Sequence, residues 1–557
     1  MAPLTIQGMR LAADFPSTTR DDWRALALGV LRRSGVDADP EAALATDTYD
    51  GVRLAPLYDA GDLPELRGPR PAHRGWDVRQ RHAVPDNEAV LADLENGVTS
   101  LWLALAPRDL ERTLRGVHLD LAPVVLEAGE RTAEAAAVLL SLGAGVRGNL
   151  GAGLGDHAVA LARRCAAEHE GLRAIVVDGL PYHDAGGADV QELGCTLAVG
   201  VAHLRALTAA GLSVEQALGQ LEFRYAATAD QFATIAKLRA ARLLWARVAE
   251  VCGGAGEQVQ HAVTSSAMMT ARDPHVNLLR TTLACFAAGV GGADAVTVQP
   301  FDAALGAPDG LARRLARNTQ ALLLEEAGVG QVADPAGGSW YVERLTAELA
   351  ERAWSWFQEI EAVGGILAAS GLVSARIAAT RARREDDIAH RRLPITGVSE
   401  FPNPGERPVR RPAGGRVERY ARPYEELRDL ADAQPERPAV FLATIGPVAA
   451  HTARAAFAAN LFHAGGLRTL TSGPGTDPEA IASAFAASGA AVACLCSSDQ
   501  LYAEHATPVA QALRRAGARK VWLAGKGTHE GVDARLYAGC DALEVLRTTF
   551  DDLGVAR

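Results

Sequence analysis

The sequence predicts an α/β protein of two domains, a closed (β/α)8 TIM barrel followed by a smaller doubly wound parallel sheet. Three observations carry that expectation. Between residues 77 and 390, short apolar runs alternate with longer amphipathic ones, the pattern of strands buried on both faces and the helices that cover them. Residues 381–437 are crowded with proline and charge and break the pattern. From residue 438 the alternation resumes with five short apolar runs. At 557 residues the chain exceeds what one hydrophobic core usually supports, so two domains with extensions are expected.

Residues 1–76 predict an arm and a first helix. Ser17, Thr18 and Thr19 offer caps, Asp21 and Asp22 suit the positive end of the helix dipole, and Trp23, Leu26 and Leu31 mark its course. The Pro- and Gly-rich segment Ala60 to Trp76 cannot continue it.

Within the barrel region, 77–390, candidate strands are Ser100 to Leu105, Val117 to Leu121, Ala174 to Val177, Glu222 to Tyr225, His261 to Thr264 and Ala295 to Val298. Helices such as Val190 to Ala209 and Gln231 to Val251 separate them. Gly291 to Glu343 is the most informative stretch. A buried strand at Ala293 to Phe301 precedes a helix in which Leu311, Leu315, Ala316, Thr319, Leu322 and Leu323 keep helical spacing, with Asn318 and Gln320 among them. Pro335, Gly337 and Gly338 then force a tight loop before the apolar run at Trp340. On such a barrel, reacting groups belong at the C-terminal ends of the strands.

The proline-rich run from Arg381 to Arg437, including Pro394, Pro402, Pro404, Pro408, Pro412, Pro423 and Pro435, predicts an extended linker over 391–437. From 438 to 557 the expected strands are AVFLATIG, LRTLTS, AAVACLCSS, KVWLAG and ALEVL. Helices between them, one opened by Asp477 and Pro478, make a flavodoxin-like arrangement.

Composition excludes several functions. A net charge of −11 argues against a nucleic-acid partner. No apolar run reaches the ~18 residues of a membrane helix, and the N-terminus lacks a basic segment before an apolar block, so cytoplasm is the expectation. Seven cysteines, Cys165, Cys195, Cys252, Cys285, Cys494, Cys496 and Cys540, lie mostly in apolar runs and read as reduced thiols.

FDAALG, RRLARNTQ and DPAGGSWYVE occur in this order with LRAARLLWARV (Leu238 to Val248), MMTARDPHVNLLR (Met268 to Arg280) and WSWFQEIEAVGG (Trp354 to Gly364). Together they resemble the barrel of the cobalamin-dependent acyl-CoA mutases, above all methylmalonyl-CoA mutase. The resemblance extends over nearly the whole chain. It implies an arm that wraps a partner subunit, a cobalamin-binding type of domain at 438–557, and radical interconversion of methylmalonyl-CoA and succinyl-CoA.

The residues that would carry that chemistry are altered. In the family, an Asp-x-His-x-x-Gly loop after the first strand of the small domain holds cobalt from below. Aligning His451 with its histidine turns the aspartate into Ala449 and the glycine into Arg454. Active barrels carry Tyr-His before Gln-Glu. Anchored on Gln191 and Glu192, the pair becomes Ala188 and Asp189, while Tyr182 and His183 fall out of register in the preceding loop, which a shift could bring back. An arm tyrosine aligns with Pro71, and a glutamine before Thr264 and Ser265 is Val263. No catalytic, cofactor-binding or metal residue is therefore assigned to this chain. The resemblance implies the small paralogue of a heterodimer, whose catalytic large subunit holds adenosylcobalamin and the acyl-CoA substrate. A stand-alone acyl-CoA mutase with altered ligation, a mutase-binding chaperone and an independent barrel enzyme are the alternatives.

Overall fold

The computed structural model describes residues 18–64, 69, 75–143, 145–412 and 418–555. The first helix, Arg20–Arg33, starts where the acidic cap predicts. The Thr19 hydroxyl accepts from the Asp22 N–H and the Asp22 carboxylate accepts from the Thr19 N–H, a reciprocal box. None of its residues is buried, and Arg20 ties it to Glu41 and Asp59. A short antiparallel hairpin, Thr46–Asp47 with Arg53–Leu54, follows.

Eight parallel strands then close a barrel: β1 Asp77–His82, β2 Ser100–Leu103, β3 Val124–Leu126, β4 Gly148–Ala152, β5 Leu172–Asp178, β6 Leu221–Ala227, β7 Gln260–Thr264 and β8 Ala295–Thr297, with β8 pairing back onto β1. Three of them, β1, β3 and β4, escaped the sequence reading for physical reasons. In β1, DVRQRH, the alternate residues Arg79 and Arg81 face a polar barrel interior, so no apolar alternation exists. In β4, GNLGA, a Cβ on Gly151 would stand 1.9 Å from the Leu126 carbonyl oxygen, so close strand approach demands a glycine that reads as a turn. Val117 to Leu121 is not a strand. The Leu121 and Ala122 N–H groups both bond the His118 carbonyl in a turn, Leu121 is exposed, and the strand begins after Pro123.

The helices Asp189–Ala209, Gln231–Val251 and Trp340–Ala362 pack on one another against one flank of the barrel. Ser339 caps the last of these, directly after the Gly337–Gly338 loop. The helix Gly310–Ala321 stands as expected and runs into a π-turn at Leu322–Glu326.

The linker is less extended than its prolines suggest. The helix Ser370–Ala389 ends just before it, and within it Arg422–Asp432 is helical with Pro423 at a first-turn position that lacks an intrahelical N–H partner anyway. Some of its charges form buried clasps. The Glu425 carboxylate accepts from the Ala271 and Arg272 N–H groups and from Arg419, while Arg428 donates to the Gly397 and Asn403 carbonyls and Glu406.

The second sheet comprises β9 Ala439–Thr444, β10 Arg468–Thr471, β11 Val492–Cys496, β12 Lys520–Ala524 and β13 Ala534–Leu536, in the spatial order β10-β9-β11-β12-β13, all parallel. ALEVL is not the fifth strand. Asp541 caps it, and it opens the helix Ala542–Asp552, whose apolar side seals the sheet, while the short ARL run supplies β13. Cys494 and Cys496 share one core, as their spacing predicts. Cys165, Cys195 and Cys285 are buried too, Cys252 is exposed and Cys540 half-buried. No helix among the described residues is long and apolar enough to cross a membrane.

Candidate functional site

The barrel's C-terminal mouth holds a buried charge cluster. Lys237, on the helix Gln231–Val251, is fully buried and places its Nζ 2.8 Å from both Asp189 Oδ1 and Glu192 Oε2. Burial pushes the Lys237 ammonium down, but the two carboxylates outweigh it and hold it above its usual value. Burial raises Asp189, but Lys237 outweighs it and holds that carboxyl below the ordinary range. Glu192, which burial pushes up to about 7 despite Lys237, is the member closer to holding a proton. The other Glu192 oxygen accepts from the Ala226 N–H at 2.7 Å. From the hairpin, Asp50 accepts from the Val190 N–H at 2.6 Å, its carboxyl raised to about 7 by burial and then by Asp189.

His183 lies close to this cluster. It sits on the one-turn helix Leu180–Asp184 directly after β5, buried, with Nε2 2.6 Å from Ser265 Oγ and Nδ1 3.9 Å from Glu192 Oε2. Burial, and then Lys237, lowers its pKa to about 3, so the ring is neutral. His183, placed by sequence in the preceding loop, therefore stands at the mouth. Asp189, placed by sequence opposite substrate, is instead half of an ion pair in the first turn of the helix Asp189–Ala209. Ala188 precedes that helix and donates its N–H to Gln191 Oε1 at 2.9 Å. Val263 packs with Trp102, Val125 and Val176. Pro71 lies outside the described residues. Sequence reading missed Lys237, which stands among Arg239 and Arg242 on one helix and carries no signal of its own in the sequence.

The barrel interior is filled. Arg79 of β1 bridges to Glu222 of β6, where Asn149 Nδ2 also bonds the carboxylate at 3.4 Å. Above them Arg224 donates to His261 Nδ1 (3.3 Å) and Asp178 (3.0 Å), and its guanidinium carbon lies 4.2 Å from the centre of the Trp102 ring. All of these except Asp178 are under 6 % exposed.

In the second domain, His451 occupies the first turn of the helix Val448–Ala464. It is buried rather than on the surface, its Nδ1 3.3 Å from the Gly446 carbonyl oxygen. Ala449 offers it no carboxylate. Arg454, one turn further along, donates from Nη1 to the Ser497 carbonyl (2.8 Å) and from Nη2 to Asp499 (2.7 Å), with its guanidinium 5.1 Å from the Tyr502 ring centre. The fold implies adenosylcobalamin here, and these residues do not fit it: the imidazole lacks an orienting acid, and a cation stands where the backbone would have to approach a corrin. Among the described residues there is no group of three or more His, Cys, Asp or Glu able to hold a metal.

A closed eight-stranded barrel joined to a 2-1-3-4-5 parallel sheet defines a two-domain α/β scaffold, with charged side chains of the chain itself along the barrel axis and at the edge of the second sheet. The sequence profile of the methylmalonyl-CoA mutase family matches residues 154–459. The chain is 56 % identical to the methylmalonyl-CoA mutase small subunit of Streptomyces virginiae over the whole of both chains. It is 46 % identical to the probable methylmalonyl-CoA mutase small subunit of Mycobacterium tuberculosis H37Rv, over 91 % of this chain and 92 % of that one. Similarity to the methylmalonyl-CoA mutase of Cereibacter sphaeroides is 39 %, over 43 % of this chain and 34 % of that one. The chain belongs to the methylmalonyl-CoA mutase family, alongside relatives named as its small subunit.

Proposed function

We propose that this chain is the non-catalytic small subunit of an adenosylcobalamin-dependent methylmalonyl-CoA mutase, paired in the cytoplasm with a large subunit that holds cofactor and acyl-CoA and interconverts methylmalonyl-CoA and succinyl-CoA. The observation that carries this reading is the filled barrel. A substrate reaching the axis would have to break the buried Arg79–Glu222 bridge and displace Arg224 from Trp102, and breaking a buried pair costs about 3–5 kcal/mol. The relatives' names supply the partner, since a small subunit has a large one. What the chain contributes is then a folded barrel surface on which the large subunit is held.

His183 favours a second reading, a stand-alone acyl-CoA mutase, because its imidazole does reach the mouth. Purification of the chain alone and coexpressed with a large subunit separates the two. The proposal expects a one-to-one complex with turnover in the pair and none in the lone chain. Turnover of methylmalonyl-CoA by the lone chain with cobalamin would refute it, and sub-stoichiometric, exchanging association would point to a chaperone.

A further inference from the structure

We propose that Arg454 is a resident plug of the second domain, and that this side chain, rather than any loss of fold, keeps a corrinoid off the chain. The inference rests on the cofactor-free reading above and names the residue that enforces it. Ligands of doubly wound sheets bind at the carboxyl edge where the strand order reverses. Here that point lies beyond β9, flanked by β10 and β11, at the loops that begin with Gly446 and Ser497. The frame of a crevice persists there. Gly446 keeps a φ of +89° and Gly525 a φ of +154°, backbone that L side chains rarely adopt. The Ser497 hydroxyl donates to the Ile445 carbonyl at 2.8 Å, tying the two loops together.

Into this frame the helix Val448–Ala464 extends Arg454. Its guanidinium is held between the Tyr502 ring and Gly525, where an added Cβ would come within 3.2 Å of Nη1. Its two charge-assisted hydrogen bonds, to Ser497 O and Asp499, would have to be surrendered to any ligand entering. His451 lies three residues earlier on the same helix, so the two side chains share a face. Removing Arg454 thus opens space beside an imbedded imidazole whose one fixed contact is the 3.3 Å approach to Gly446 O. An aspartate at position 449 would supply the acid that this ring lacks.

The test uses the full chain and hydroxocobalamin as the probe. Wild type, R454A, R454G, R454A with Ala449→Asp, and that double variant with His451→Ala are compared by equilibrium dialysis, by colour retained through gel filtration and by the visible spectrum. The expected result is binding about tenfold or more tighter in the R454A/A449D chain than in wild type, with a spectral change that His451→Ala abolishes. R454A and R454G that melt like wild type while neither they nor the double variant binds better would overturn the plug and leave the cofactor-free reading standing. Stoichiometric binding by wild type would overturn both. R454A keeps a strong helix former at the site, so it decides the question if the glycine variant fails to fold.

Discussion

Replacing Lys237 with methionine keeps the volume of the side chain and deletes its charge, leaving Asp189 and Glu192 facing each other in a site from which water is excluded. Removing one partner from a buried ionic group costs about 3–5 kcal/mol. For a domain of this size each kcal/mol is worth about 2–4 °C, so the melting temperature of the barrel should fall by roughly 10 °C. The deficit should depend on pH in a fixed sense. Burial already raises the Glu192 carboxyl to about 7, and Lys237 opposes that rise. Without the lysine the carboxyls rise further. A raised carboxyl contributes stability that is complete below its unfolded pKa and disappears as pH climbs through the folded one. The variant should therefore be more impaired at pH 8 than at pH 5. Thermal and urea unfolding at the two pH values measure this, and a loss below about 1 kcal/mol at pH 8 would refute the ion-pair account.

His183 is held near 3 by burial and then by Lys237, so its contribution is complete above its unfolded pKa and is lost as pH falls from about 6.5 toward 3. His183→Gln should flatten the acid limb, measured as a smaller drop in urea midpoint between pH 7 and pH 4.5 than wild type shows. Arg79→Met and Glu222→Met should each cost about 3–5 kcal/mol, while the double variant regains much of it, giving a coupling of about 2 kcal/mol or more in a denaturant-based cycle. His451→Ala should leave turnover of the assembled complex within about twofold of wild type, read with saturating cofactor and substrate; a larger loss with the complex intact would place the imidazole in the chemistry.

Much of the architecture was legible because β-branched strands between amphipathic helices encode a parallel sheet, and because capping residues such as Thr19 and Asp477 stand where helices begin. What escaped the sequence escaped for specific reasons. β1 is charged because its inner face meets Glu222 across the barrel and Trp102 on the neighbouring strand, and β4 needs glycine where strands crowd. ALEVL has the composition of a strand, but Asp541 caps it as a helix. At the mouth, an alignment anchored on Gln191 and Glu192 put Asp189 where a histidine was sought. The short helix after β5 brings His183 to the mouth as well, a placement that depends on loop length and not on residue type. Arg454 was legible as a substitution. Its contacts with Ser497 and Asp499, 43 and 45 residues away, were not.

The most direct measurement is a titration of adenosylcobalamin, followed by absorbance, into the lone chain, the large subunit and the assembled pair. The account predicts no binding by the lone chain and one cofactor per heterodimer. One equivalent bound by the lone chain, or two by the pair, would contradict it.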